Sequence, residues 1–368
     1  MRLIMTAMVR DEADIIASML DHHLEQGVDH FVVTDNGSVD GTREILEDYA
    51  SRGVVDLRHD PIHRKQQGAT VTAMAREAYS THGATWVINA DADEFWMPED
   101  RRRRLRDAFE SIPTTLGAFI VPVIDMTGAP ATAGTGLSRL RYRDLRPMKE
   151  MTRIGLHAHS TPNSVHIGSA SVEVAQGNHY VNIESRGEPD AADRIEVLHL
   201  PWRSWSQYRR KVENAGRAYE NNSGLTPSPN HHGMRDWRHL EEGVLRALYL
   251  ARHPDASELA AGVLEGYFKE DRILIHRPDG IDDNLVPPEE HRELAFLGRA
   301  VIRRDTTIAD SARALQDTVT QLEYLRINTD GALRLSEKKR QELEQLVGRL
   351  RQRKIVRLSD ALARALRR

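Results

Sequence analysis

Cysteine is absent from all 368 residues, which excludes disulfides and thiolate-ligated metal and fits a reducing compartment. No apolar run approaches the length needed to span a bilayer. Charge of one sign is not in excess either: a net charge of −4 gives no global attraction to nucleic acid or anionic lipid. Internal repeats are missing, and Met1–Met5 runs straight into a strand-like pattern with no leader-type apolar core, so the expected location is the cytoplasm. What remains is 40% hydrophobic and 29% charged residues, the balance of a folded globular protein. The length suits one large domain with an appendage.

The first hundred residues alternate between two periodicities. Apolar runs at Leu3–Val9, Phe31–Thr34, Val54–Leu57 and Trp86–Asn89 read as buried strands. Between them Glu12–Gln26 carries Ile15, Ile16, Met19, Leu20 and Leu24 at helical spacing, and Gly27 is a plausible C-cap. Asp40 or Thr42 is placed to cap a second helix, and Gly68–Thr81 reads as a third. Strand and helix in alternation predict a parallel α/β sheet, whose ligands bind beyond the carboxyl ends of the strands. Arg10, Asp35, His59 and Asp91 all fall there. From Ala118 to His199 short runs among Gly, Pro and Thr predict β-rich structure and loops, and from Ser206 onward the pattern is mainly helical.

The strand Trp86–Asn89 ends in Asp91, Asp93 and Glu94. A buried strand should not finish in carboxylates unless something cationic or strongly hydrogen-bonding sits there. Asp91 and Asp93 are two apart, share a face if extended, and can converge on a hard divalent ion held also by substrate phosphates. Counted as like charges alone, such a cluster should tolerate loss of Asp93 with stability unchanged or raised.

Four motifs stand in order: Met8-Val9-Arg10-Asp11-Glu12-Ala13-Asp14, Gly27-Val28-Asp29-His30-Phe31, Asp35-Asn36-Gly37-Ser38-Val39-Asp40-Gly41-Thr42 and Asp91-Ala92-Asp93-Glu94-Phe95. Together they resemble the family 2-like glycosyltransferases of the GT-A fold, in the branch related to family 92. The resemblance implies a GT-A, Rossmann-like α/β domain over 1–220, while the sequence pattern itself predicts a helical region over 221–335 and a basic amphipathic helix over 336–368. It implies nucleoside contacts from Arg10, Glu12, Asp35 and Asn36. Lys65, Gln66 and Gln67 precede the third helix, where a phosphate or base contact would fit, as would a plain solvated helix start. The resemblance also carries a metal site. It implies Mn²⁺ or Mg²⁺ held by Asp91 and Asp93, Glu94 ligating or orienting a neighbour, and a further ligand from a distant histidine, His199 or His179. Against nucleoside contact stands a plain capped turn, with Asp35 satisfying backbone amides only. Arg203 is within reach of a phosphate on this reading, while Trp205 and Tyr208 suit helix packing.

The expected activity is metal-dependent, inverting transfer of a sugar from a UDP- or GDP-sugar to a glycan, lipid or small-molecule hydroxyl. Its general base is left open among Asp125, Glu150, Glu173 and Glu196. A nucleotidyltransferase is the alternative, but it would carry a glycine-rich loop after the first strand, and Thr6–Glu12 has no glycine. The other alternative is an inactive scaffold docking through its tail. The basic tail, with its stripe of Leu343, Val347, Leu350, Ile355, Leu358, Leu362 and Leu366, is open to peripheral membrane contact, homodimer formation or packing on its own core. No nucleic-acid partner is expected.

Overall fold

Strand β1 (Leu3–Val9) is enclosed on both faces, as a near-continuous apolar strand in a parallel sheet must be. The computed structural model describes residues 1–61, 67–220, 232–274, 283–328, 332–351 and 354–365. After β1 come α1 (Ile16–Glu25), β2 (His30–Asp35), α2 (Thr42–Ser51), β3 (Val55–His59), α3 (Gln67–Ser80) and β4 (Trp86–Asn89). This is the alternation read from the sequence, with β1 and β4 at the expected bounds. Alternate residues of β1 serve two cores. Leu3, Met5, Ala7 and Val9 join α1 through Ile16, Met19 and Leu20. Ile4 joins Val71, Met74, Ala75 and Ala78 of α3.

Next follow β5 (Glu94–Pro98), α4 (Leu105–Ser111), β6 (Ala118–Val121), β7 (Val123–Thr127), β8 (Ala131–Ala133), β9 (Tyr142–Asp144), α5 (Met148–Arg153), β10 (Asn163–Ile167) and β11 (Ile195–His199). The first sheet has the order β3-β2-β1-β4-β10-β6. Its first four strands are parallel, whereas β10 runs antiparallel to both neighbours. Within the stretch expected to be β-rich, the apolar run Ser171–Ala175 forms only an isolated bridge between Val174 and Val181.

The chain changes sheets at the acidic turn: β4 belongs to the first sheet and β5 to a second, of order β12-β9-β7-β11-β5. Registers place the site. Val9 is level with Asp35, and Asp35 with His59, so Arg10 and Asn36 emerge at the same edge as the end of β4. In the second sheet His199 stands opposite both Glu94 and Asp125, which puts all three side by side.

The remaining elements are α6 (Trp205–Glu220), α7 (His232–Glu241), α8 (Leu245–Arg252), α9 (Ala256–Leu264), β12 (Phe268–Glu270), β13 (Asn284–Leu285), α10 (Pro288–Asn328), α11 (Ala332–Arg351) and α12 (Lys354–Ala365). Although this stretch is mainly helical, β12 pairs with β9 and β13 with β8, so it also completes the sheets. The long α10 lies against α8 at Gly298, where a Cβ would come within 2.1 Å of the Ala247 carbonyl oxygen. No side chain larger than hydrogen fits that crossing. In the tail, Ala363 of α12 is buried with Val244, Leu248, Ala251, Val301 and Ile302. The inner face of the tail thus covers core, while Leu358 and Leu362 remain exposed. Among the described residues no helix is long and apolar enough to cross a membrane.

A buried ion network ties α7 to α8 and α10. Arg252 reaches Asp236 at 3.2 Å, and His239 Nε2 lies 2.7 Å from Asp305 Oδ2. Burial works against a charged His239, but the carboxylates of Asp236 and Asp305 raise its pKa above 6.5. A raised pKa contributes stability in full below the unfolded value and loses it as pH rises through the folded one. Urea unfolding followed at a series of pH values should therefore show stability falling above pH 6.5, with His239→Asn flattening that fall. An unchanged slope in the variant would assign the loss to other groups.

Candidate active site

The carboxyl ends of β1 and β4 and the inner face of α6 enclose a pocket of about 200 Å³. Arg10, Asp11, Glu12, Gln67, Asp91, Asp93, Arg210, Lys211 and Asn214 line it. Carboxylates come from the strand ends and cations mostly from the helix, so each side needs the other.

Asp93 is fully buried, and its Oδ2 lies 2.8 Å from Lys211 Nζ and 3.4 Å from Arg203 Nη1. Its Oδ1 is buried without a hydrogen-bond partner and faces His199 Nε2 at 3.7 Å. Burial opposes its charge, but Lys211, His199 and Arg203 hold the carboxyl well below the usual range. Asp91 accepts from Gln67 Nε2 at 3.1 Å and Asn178 Nδ2 at 3.2 Å, both on Oδ1. Burial and the charge of Asp93 raise its pKa.

Glu94 turns away from the pocket. Asn163 donates to both its oxygens, at 2.7 and 2.8 Å, and the Asp91 amide lies 3.3 Å from Oε2. Burial, then the charge of Asp91, pushes Glu94 up to about 7. It shapes the acidic turn from behind.

His199 is fixed by its neighbour in the sheet. Its Nδ1 is 2.8 Å from Asp125 Oδ1, whose carboxylate also accepts from Ser160 Oγ at 2.6 Å and the Ser160 amide at 3.1 Å. Burial works against the imidazolium, yet Asp93 and Asp125 push the ring up to about 10. With Nδ1 engaged, Nε2 is the atom turned toward Asp93. His179, the other candidate ligand, faces Pro162 O and Asn163 Oδ1, each at 3.2 Å from its Nδ1.

Arg203 does not reach outward for a phosphate, the role the sequence left open to it. It is fully buried and bridges Glu12, Asp14 (2.8 Å) and Asp93. Burial pushes Glu12 up to about 7 against the pull of Arg203. Trp205 and Tyr208 pack into the helical core, in keeping with the packing reading.

The turn after β2 is largely satisfied from within. Asp35 accepts from the Ser38 amide at 3.0 Å and lies 3.1 Å from His59 Nδ1. Asn36 donates to Asp60 O at 2.9 Å, while its own carbonyl accepts from Arg10 Nη1 at 2.6 Å. Neither side chain is on the pocket wall. Lys65 lies outside the described residues.

Sequence reasoning missed several wall residues. Asp11 has a left-handed backbone (φ 56°), rare outside glycine and enriched at functional sites. Its carboxylate accepts from the Val39 amide and from Asn214 Nδ2, both at 2.8 Å. Asp11 was within a quoted motif. Lys211, Arg210 and Asn214 have no motif, and α6 reads as a polar helix face.

Among the described residues, Asp91, Asp93 and His199 do not bring three ligand atoms within 4.8 Å of one another. Asp93 and His199 face each other at 3.7 Å, and Asp91 lines the same pocket as Asp93.

Comparison with known proteins bears on the segment that carries these strands. The chain is 30% identical over 108 residues to the glycosyltransferase AglJ of Haloferax volcanii, covering 29% of this chain and 32% of that protein. The chain thus spans about a third of the length of the curated relative it matches. Two solved structures, S. aureus TarS 1–349 with UDP-GlcNAc and with UDP, overlap at TM-scores of 0.34 and 0.33. Their identities are 13% and 14%, each over 83% of this chain and 92% of TarS 1–349. Residues 5–115 match the model of glycosyltransferase family 92. The part of the chain that carries Arg10, Glu12 and the acidic turn is therefore related to glycosyltransferase family 92.

Proposed function

We propose that the protein transfers a sugar, with inversion, from a nucleoside-diphosphate sugar to a hydroxyl group of a glycan, lipid or small molecule. The observation that carries this reading is the pocket where Asp91 and Asp93, from the family-matched segment, share a wall with Lys211 and Arg210 of α6. Carboxylates and cations around one cavity suit a diphosphate, which needs positive charge along its length. About 200 Å³ is below the usual 300–1,000 Å³ of small-molecule sites, so the donor extends beyond the pocket.

A divalent ion fits this wall at one point. Asp93 Oδ1 is a buried oxygen without a hydrogen bond, and it faces an imidazole nitrogen whose ring is oriented by Asp125. That carboxylate–histidine arrangement is the usual support of a metal ligand. Asp91, Asp93 and His199 would hold Mn²⁺ or Mg²⁺, which when bound neutralises the departing nucleoside diphosphate as a Lewis acid. The Lys211 side chain is half exposed and its Nζ is paired with Asp93, which sets its charge beside the place a phosphate oxygen would take. Gln67 and Asn178 hold Asp91, and Glu94 fixes the turn through the Asp91 amide.

Inversion calls for a base that takes the acceptor proton. Of the four acids considered, Glu150 pairs with Arg153, Glu173 with Arg76, and Glu196 with Arg101 and Arg143. Asp125 alone stands at the site, and there it positions His199.

Thermal-shift measurements with UDP, GDP, CDP and dTDP, with and without Mn²⁺, test the donor reading. One nucleotide should raise the melting temperature, and more so with metal. Sugar-nucleotide hydrolysis should be suppressed by EDTA and restored by Mn²⁺ or Mg²⁺. Full activity after stripping would remove the metal from the mechanism, and indifference to all four nucleotides would remove the donor.

A further inference from the structure

The opposite edge of the parallel sheet carries a second cluster of side chains, remote from the pocket. His30 opens β2, Asp56 lies on β3, and His82 follows the last turn of α3. Val32 is level with Asp56, and His30, two residues before Val32, shares its face. That face also carries α3, whose Val71, Met74, Ala75 and Ala78 pack with Val32. The end of α3 therefore delivers His82 over the start of β2.

One ligand atom from each of His30, Asp56 and His82 lies within 4.8 Å of the other two. Among the described residues no other group of His, Asp or Glu does this. His30 Nε2 is 3.2 Å from Asp56 Oδ1, and His82 Nε2 is 2.9 Å from Oδ2. Both nitrogens are nevertheless buried and without a hydrogen bond of acceptable geometry. Two imidazoles serving only to hydrogen-bond a carboxylate would aim their N–H groups at its lone pairs. Here the nitrogens crowd the carboxylate without aiming at it, and buried polar atoms left so are uncommon.

We propose that His30 Nε2, His82 Nε2 and one oxygen of Asp56 form a Zn²⁺ site whose remaining position is taken by water. Two imidazoles and a carboxylate are a donor set that suits zinc. Zinc holds such atoms at about 2.0–2.2 Å, which sets neighbouring ligands of a tetrahedron roughly 3.3 Å apart. The two nitrogens lie 3.2 and 2.9 Å from different oxygens of Asp56, and one ligand atom from each residue already falls within 4.8 Å of the other two, so a small turn of the carboxylate completes the set. The imidazoles are 12% and 13% exposed, while Asp56 is 46% exposed and gives the ion its way in. The site also lies just past the C-terminus of α3, the end of a helix that favours a cation. The ion would clamp α3 to β2 and β3. The other end of that helix is Gln67, which touches Asp91.

The test uses the full chain, stripped by a chelator and dialysed against Zn²⁺ alone. We expect one equivalent retained, a melting temperature raised by several degrees, and a tetrahedral-type visible spectrum with Co²⁺ in its place. His82→Gln and Asp56→Asn should each weaken Zn²⁺ at least about tenfold, while Asp91→Asn in the pocket keeps the full equivalent. Two separate variants guard against one that fails to fold. No stoichiometric retention by the wild type, or equal retention by wild type, His82→Gln and Asp56→Asn, overturns the site.

Discussion

Asp93→Asn is expected to lower sugar-nucleotide turnover by about a thousandfold or more, the scale on which charge-stabilising groups act in such sites. The same variant should be less stable, and here the structure reverses the sign that the sequence suggests. Counted as one of three clustered acids, Asp93 is a source of repulsion. In the fold it is fully buried beside Lys211, Arg203 and His199, with Lys211 at 2.8 Å. Neutralising one member of a buried ion cluster leaves its partners uncompensated, which costs about 3–5 kcal/mol. The lower end applies, because Lys211 is half exposed while Arg203 and His199 keep other carboxylates. Activity with the preferred donor and urea unfolding would be measured side by side. Near wild-type turnover would dismiss Asp93 as part of the chemistry.

Arg203→Met should have the largest effect on folding, about 3–5 kcal/mol. The guanidinium is fully buried and binds Asp14 through two nitrogens, at 2.8 and 3.0 Å, while also reaching Glu12 and Asp93. Methionine fills part of the space but leaves those carboxylates without their common cation. Glu12, already pushed up to about 7 by burial, would lose its main counter-charge and take up a proton near neutral pH. Lysine should not rescue the variant, since an ammonium cannot reproduce the planar fork. Adding Glu12→Gln should recover part of the loss, because a neutral amide no longer needs the cation. A wild-type urea midpoint for Arg203→Met would show that the cluster is not tied to global stability.

The first sheet was readable because short apolar runs and helical stripes alternate cleanly, with Leu3–Val9 interrupted only by Thr6 and Trp86–Asn89 polar only at Asn89. The acidic turn was readable for a related reason: carboxylates at the end of a buried strand demand partners. The partners themselves were not. Lys211 meets Asp93 across 118 residues, and on a helix such as α6 a lysine looks the same whether it faces solvent or a pocket. Arg203 was legible as a basic residue among aromatics but not as a buried bridge, since its three carboxylates come from two distant loops. The motif around Asp35 signalled a turn correctly, and its hydrogen bonds to Ser38 and His59 close that turn from within. The strands from Phe268 and Asn284 were hidden because they are only 3 and 2 residues long, too short for any period to show.

The division of labour around the pocket bears on how this chain can be cut and recombined. Residues 5–115 supply the acids, yet Arg203, Arg210 and Lys211 come from well beyond them. A chimera joined near residue 115 would transplant an acidic cluster into a host whose matching bases are spaced for another loop. Such a graft would carry the recognisable motifs and still lack their electrical complement. A junction must lie beyond α6 to keep both halves in one inheritance, and beyond α8 as well to keep the core on which Tyr208 and Val212 of α6 pack.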